Sequence, residues 1–128
     1  METRVSSHTK EVIIGSNYHT VIIGERINPA GRKKFQEALK AGNLDTIRSE
    51  ALAQSQAGAD ILDVGVGTFG VDEVVLLPQA VQAVISTVDL PLCLDSANPK
   101  ALEVLRQTLA SSHNGKVQDA AVRALAVV

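Results

Sequence analysis

Six side chains in this chain have the types and spacing to do chemistry together: Glu25, Asn28, Asp63, Asp95, Ser96 and Asn98. All of them cluster where an apolar run ends. Pro91-Leu92-Cys93-Leu94 passes directly into Asp95-Ser96-Ala97-Asn98, and the same pattern occurs upstream in Val21-Ile22-Ile23-Gly24-Glu25-Arg26-Ile27-Asn28 and in Ile61-Leu62-Asp63-Val64-Gly65-Val66-Gly67. Carboxylates and amides without a metal cluster suit the reading of a heterocycle, because a carboxylate can accept two parallel hydrogen bonds from an N–C–N donor edge. Asp95 is the best placed to do so. Nucleophilic catalysis is not indicated, since His8, His19 and His113 fall in expected loops or tails with no catalytic neighbour in sequence. Three scattered histidines and the single cysteine, Cys93, do not make a zinc site. A purely structural reading competes for several of these groups. Asp63 and Asp95 can satisfy backbone donors or cap the helices that follow, and Asn28-Pro29 can simply start a turn.

The elements that must position these groups follow from periodicity. Short apolar runs ending in polar residues read as strands buried on both faces, near 21–24, 60–64 and 91–95. Cys93, inside one of them, reads as packing in a reducing compartment. Val-Ile-Ile-Gly occurs at 12 and again at 21, separated by Ser16-Asn17-Tyr18-His19. Two such β-branched runs read as a hairpin, or as a capping strand followed by the first core strand. From Gly31 the spacing becomes helical, with Phe35, Ala38 and Leu39 on one face and Gly42 closing the helix. Asn43 can then cap a second helix, on which Leu44, Ile47 and Ala51 share a face until Gly58. The Arg32-Lys33-Lys34 triplet reads as a solvated face, with an anionic ligand tail as the alternative. The loop Gly65 to Gly70 lacks the spacing of nucleotide-binding loops. Pro78 is expected in the first turn of a helix carrying Val81, Val84, Ile85 and Val88 inward. Asn98-Pro99 starts the next, with Leu102, Leu105 and Leu109 on one side.

Strand and helix alternating over short gaps define consecutive βαβ units and a parallel sheet, an α/β fold. Right-handed crossovers place all the strand ends on one edge, so the six polar residues should converge on one rim. That edge is where parallel sheets bind their ligands.

Composition bounds the partners. The chain has 128 residues, 45 % hydrophobic and 20 % charged, which fits one domain with a core. A net charge of −2 and 2 % aromatics offer nucleic acid neither a basic surface nor a stacking platform. Met1 to Lys10 lacks the apolar core of a signal peptide, and no apolar run approaches the roughly 20 residues of a membrane span. These features predict a cytoplasmic protein without nucleic-acid or membrane partners.

Three segments together resemble a known family: Ile-Gly-Glu-Arg-Ile-Asn-Pro at 23–29, Ala-Gly-Ala-Asp-Ile-Leu-Asp-Val at 57–64 and Pro-Leu-Cys-Leu-Asp-Ser-Ala-Asn at 91–98. In this order and spacing they are similar to the pterin-binding methyltransferases, which move a methyl group between methyltetrahydrofolate and a corrinoid protein, as in the folate module of cobalamin-dependent methionine synthase. Dihydropteroate synthases are similar in fold and form the alternative enzyme reading. The resemblance implies a TIM (β/α)8 barrel, of which this chain carries the N-terminal half: three βα units with parallel strands, preceded by a short β segment. It places Asp95 on the pyrimidine side of the pterin, Ser96 and Asn98 in the same loop, and Glu25 and Asn28 at the end of the first strand. Asp63 belongs to the same rim. Tetrahydrofolate or 5-methyltetrahydrofolate is then the cosubstrate, and the corrinoid is carried by a partner protein.

Two departures from the family pattern bear on activity. Gly65 stands where the family usually has asparagine, which removes a donor and an acceptor from the rim. A TIM barrel typically needs about 250 residues, roughly twice this length. The partial domain covers 1–128, within which 116–128 reads as a non-family tail, helical by the spacing of Val117, Ala121, Leu125 and Val128. A truncated or frameshifted gene would leave such a tail. The expectation is therefore a methyltransferase subunit completed by another chain, with a homo-oligomer as one form, or else a non-catalytic binding remnant.

Overall fold

A computed structural model describes residues 1–111; the helical tail expected over 117–128 lies outside them. The chain opens with a hairpin of β1 (Glu2–Ser6) and β2 (Glu11–Gly15), antiparallel from Glu2 opposite Gly15 to Ser6 opposite Glu11. Of the two readings of the Val-Ile-Ile-Gly runs, the hairpin between them fails, and the capping strand followed by the first core strand holds. The partner of the first run precedes it, in a polar segment that carries no strand periodicity. The second run feeds the body instead, because the N–H of Ile22 donates to the Asp60 carboxylate and its carbonyl accepts from Asp60 N–H at 2.8 Å. The turn of the hairpin is tied to the body as well. His8 N–H donates to Asp89 Oδ1 at 3.1 Å and the Thr9 hydroxyl donates to Oδ2, which together hold the Asp89 carboxyl below its usual range, the Thr9 bond most of all.

The body is a three-stranded parallel sheet ordered β3 (Ile23–Ile27), β4 (Ile61–Val64), β5 (Leu92–Leu94), in the sequence-expected order and sense. Four helices pack with it: α1 (Lys33–Lys40), α2 (Asp45–Gln56), α3 (Glu73–Thr87) and α4 (Pro99–Ala110). Leu62, Val64, Leu92 and Leu94 share one apolar cluster with Phe35, Ile47, Leu77, Val81 and Leu105 from the helices. Because strand side chains alternate between faces, Asp63 and Cys93 must point the other way. Neither belongs to that cluster, and both are only half-buried. The expectation of strands buried on both faces holds only in part, since Ile61 on the Asp63 face is buried while Ile23, its partner on β3, is exposed. One face is sealed by helices and the other carries the polar groups.

Capping sets the helix ends largely as the residues foretell. Gly42, at φ 69°, follows α1 and donates to Leu39 O, while Asn43 Oδ1 accepts from Asp45 N–H at the start of α2. Asn98 Oδ1 accepts from Lys100 and Ala101 N–H ahead of Pro99, the first residue of α4. Pro78 is the exception. It sits inside α3 rather than in its first turn, because Asp72 caps that helix earlier by accepting from Val74 N–H. Pro78 is itself buried, and its missing N–H forgoes the bond to the Val74 carbonyl.

Between Gly24 and Ile27 the pairing of β3 with β4 slips. Gln54 of α2 repairs the gap, its Oε1 accepting from Arg26 N–H at 3.0 Å and its amide donating to Glu50 O. A Cβ on Gly24 would stand 2.4 Å from that Oε1. Gly24→Ala is therefore expected to displace Gln54, orphan the Arg26 N–H and cost about 1–3 kcal/mol. Urea denaturation of the two proteins measures it.

Candidate functional site

Main-chain hydrogen bonds carry the sheet just past its last paired residues. Gly65 N–H donates to Ile27 O and Asp95 N–H to Val64 O, each at 2.9 Å. The C-terminal ends of β3, β4 and β5 thus lie side by side, and the loops that leave them share one edge. Asp63 is opposite Cys93 in the register, Asp95 is two residues on, and Glu25 is close enough for its charge to act on Asp63.

Asp63 is the unusual member. Its Oδ1 is buried with no hydrogen-bond partner. Burial pushes its carboxyl up, the charges of Asp95 and then Glu25 push it further, and the Cys93 thiol and Val64 N–H offset part of the rise. The same burial, with the charges of Asp63 and Asp95, pushes the Cys93 thiol up too. Cys93 thus lies on the polar face of the sheet, where its raised value keeps the thiol protonated. Strand alternation carried that signal, since Leu92 and Leu94 on the sealed face leave Cys93 with Asp95 on the open one.

A raised carboxyl favours the folded state fully at pH below the ordinary aspartate value, and that contribution is lost as pH rises through the folded value. Asp63→Asn is accordingly expected to raise the unfolding midpoint near neutral pH and to lose that advantage as the medium is acidified. Thermal unfolding of both proteins across pH 4 to 8 tests the sign.

The remaining sequence-assigned residues divide. Asp95 is exposed, and its carboxylate accepts no hydrogen bond among the described residues. Asn98 is committed to capping α4, and Asn28 Oδ1 accepts from Ala30 N–H at 2.9 Å in the turn at Pro29. For those two the structural reading describes the side chain as it stands. Ser96 Oγ donates to Glu73 Oε1 at 2.6 Å and accepts from Asn98 N–H at 3.1 Å. Glu73 was not among the sequence candidates, and with Pro78 expected in the first turn nothing marked Glu73 as the start of the helix. Arg32 turns away from solvent, pairing with Glu50, donating to Arg26 O and lying 4.8 Å from the centre of the Phe35 ring. Among the described residues no group of His, Cys, Asp and Glu is arranged to hold a metal ion. No described helix is long and apolar enough to cross a membrane.

Gly65 closes the site at its tightest point, where a Cβ would lie 3.2 Å from Asp95 O and 3.5 Å from Asp95 Oδ2. The arrangement is an edge of hydrogen-bond acceptors, one of them unmet, with no compensating cation beside it in the described residues. Such an edge suits a ligand rich in N–H donors.

The family model for pterin binding enzymes matches residues 24–122 of the chain. The chain belongs to the pterin-binding enzyme family. A methylcorrinoid:tetrahydrofolate methyltransferase of Eubacterium limosum is 36 % identical over 88 residues, which are 66 % of this chain and 31 % of that protein. A methionine synthase of Mycobacterium tuberculosis is 30 % identical over 102 residues, 80 % of this chain and 9 % of that protein. This member of the family thus spans under a third of the first relative and under a tenth of the second. The matched stretch begins at Gly24, the second residue of β3, and takes in the rest of the parallel sheet and the edge where its strands end.

Proposed function

We propose that the three βα units are one side of a TIM barrel whose rim holds the pterin of tetrahydrofolate or 5-methyltetrahydrofolate, in an enzyme that moves a methyl group between that folate and a corrinoid protein. The observation that carries the reading is the acceptor edge itself. Asp63, with an unpartnered buried oxygen, stands with Asp95 and Glu25 at the joined strand ends of a chain from a pterin-binding family. The pyrimidine side of a pterin presents an amino group and a ring N–H in the N–C–N geometry that a carboxylate accepts. Asp95 takes that edge, and Asp63 gains the donor it lacks. Asn28, Ser96 and Asn98 shape the loops around the ring. The corrinoid, carried by its own protein, supplies the cobalt that gives or takes the methyl group.

The activities for which the two relatives are named support methyl transfer over dihydropteroate synthesis. Binding and turnover are expected to separate in the 128-residue chain alone. Three strands can hold one edge of a heterocycle, whereas transfer requires a mouth that aligns donor and acceptor, and alignment carries much of such a barrier. Titration calorimetry with 5-methyltetrahydrofolate should show weak binding, and a cob(I)alamin absorbance assay should show no transfer. Absence of folate binding at millimolar concentrations would remove the proposal. Turnover by the chain alone would mean that its rim is catalytically sufficient, and size-exclusion chromatography would then tell whether a homo-oligomer completes it.

A further inference from the structure

Two loops meet at the rim, and one carboxylate joins them. The loop from β4 to α3 runs past Gly65 and Gly67 to Glu73, the first residue of α3. The turn from β5 to α4 holds Asp95, Ser96 and the cap Asn98. Gly65 has only 3.2 Å between a would-be Cβ and Asp95 O, and Gly67 has 3.4 Å to Glu73 Oε1. Bare backbone at these two points is what allows the loops to lie against each other.

We infer that Glu73 is a positioning residue for the pterin edge: through Ser96 it holds the turn that presents Asp95. This rests on the functional reading above. The chain of bonds is short and directional. The Ser96 hydroxyl spends its one proton on Glu73 Oε1 at 2.6 Å, and its oxygen accepts from Asn98 N–H at 3.1 Å. Asn98 in turn accepts from Lys100 N–H at 3.0 Å. Glu73 therefore orients a hydroxyl that orients a turn, and Asp95, adjoining Ser96, inherits its direction. It also follows that Ser96 has no proton left for a ligand. Its place at the rim is support for Asp95 rather than contact. A carboxylate acceptor makes the Glu73 bond the strong member of the chain, since hydrogen bonds to charged groups exceed neutral ones.

The test has two arms on the full 128-residue chain. In hydrogen exchange, Glu73→Ala is expected to speed exchange of the Asn98 amide about tenfold, by loss of one charge-assisted bond. The Leu62 amide, bonded to Pro91 O inside the sheet, should not change. In calorimetry, Glu73→Ala should weaken 5-methyltetrahydrofolate about tenfold, and Glu73→Gln, whose amide oxygen still accepts from Ser96, should restore most of it. In a background of Asp95→Ala, Glu73→Ala should have little further effect, a non-additivity that a purely structural role would not produce. An unchanged Asn98 amide, or full additivity of the two substitutions, overturns the inference. If the wild type binds no folate, the functional reading fails by itself, and the exchange arm still decides whether Glu73 holds the turn.

Discussion

Replacing Asp95 with Ala is expected to weaken binding of 5-methyltetrahydrofolate about thirtyfold, the loss of a charge-assisted bidentate contact worth about 2 kcal/mol. The exposure of the Asp95 carboxylate sets the size. A buried acceptor would be worth more, but this one keeps solvent access and gives up part of the contact energy to water. Its main-chain role is separate, because the 2.9 Å bond to Val64 O comes from the backbone N–H and survives substitution. The unfolding midpoint should therefore stay the same or rise slightly, since the Ala variant also relieves the repulsion with Asp63. Asp95→Asn, which keeps one acceptor, should fall between wild type and Ala. Calorimetry on the three proteins, with thermal unfolding of each, is the measurement. Equal affinity for wild type and Ala would remove Asp95 from the site.

Leu62→Ala is expected to cost about 2–5 kcal/mol of folding stability, the range for emptying a fully buried leucine position. Leu62 is 0 % exposed and sits at the centre of the sheet, opposite Gly24 on β3 and Leu92 on β5. Its side chain lies in the cluster that joins the sealed sheet face to the helices. With domain stabilities of about 5–15 kcal/mol, this one truncation removes a large share. Ile23→Ala supplies the contrast. Ile23 is 49 % exposed and outside the cluster, so its loss should stay within about 1 kcal/mol. Urea denaturation of the two variants compares the faces directly, and equal losses would mean that both faces of the sheet are packed.

What the sequence by itself determined was local and periodic. Asn98-Pro99 had to start a helix, because an amide side chain can cap the free N–H groups and proline fits the first helical position. Gly42 and Gly58 had to end helices, and they adopt φ 69° and 97°. Short connections between apolar runs required parallel neighbours, and handedness then brought Glu25, Asp63 and Asp95 to one edge. The family, too, was legible, because its three motifs are those same strand ends.

The tertiary structure decided everything that depends on a partner distant in the chain. β1 reads as polar, and it is a strand only because Glu2 to Ser6 meet Gly15 to Glu11 in register. The start of α3 was misplaced because Pro78 is a strong local signal, whereas burial of Pro78 inside the helix is not a local property. A period of two says that Leu62 and Asp63 face opposite ways. It does not say which face the helices will cover. That choice left Asp63 with a buried oxygen that no described residue meets, and it turned Cys93 toward the acids. Glu73 and Ser96 are far apart in sequence and 2.6 Å apart in space, a contact made by two loops closing over glycines rather than by any motif.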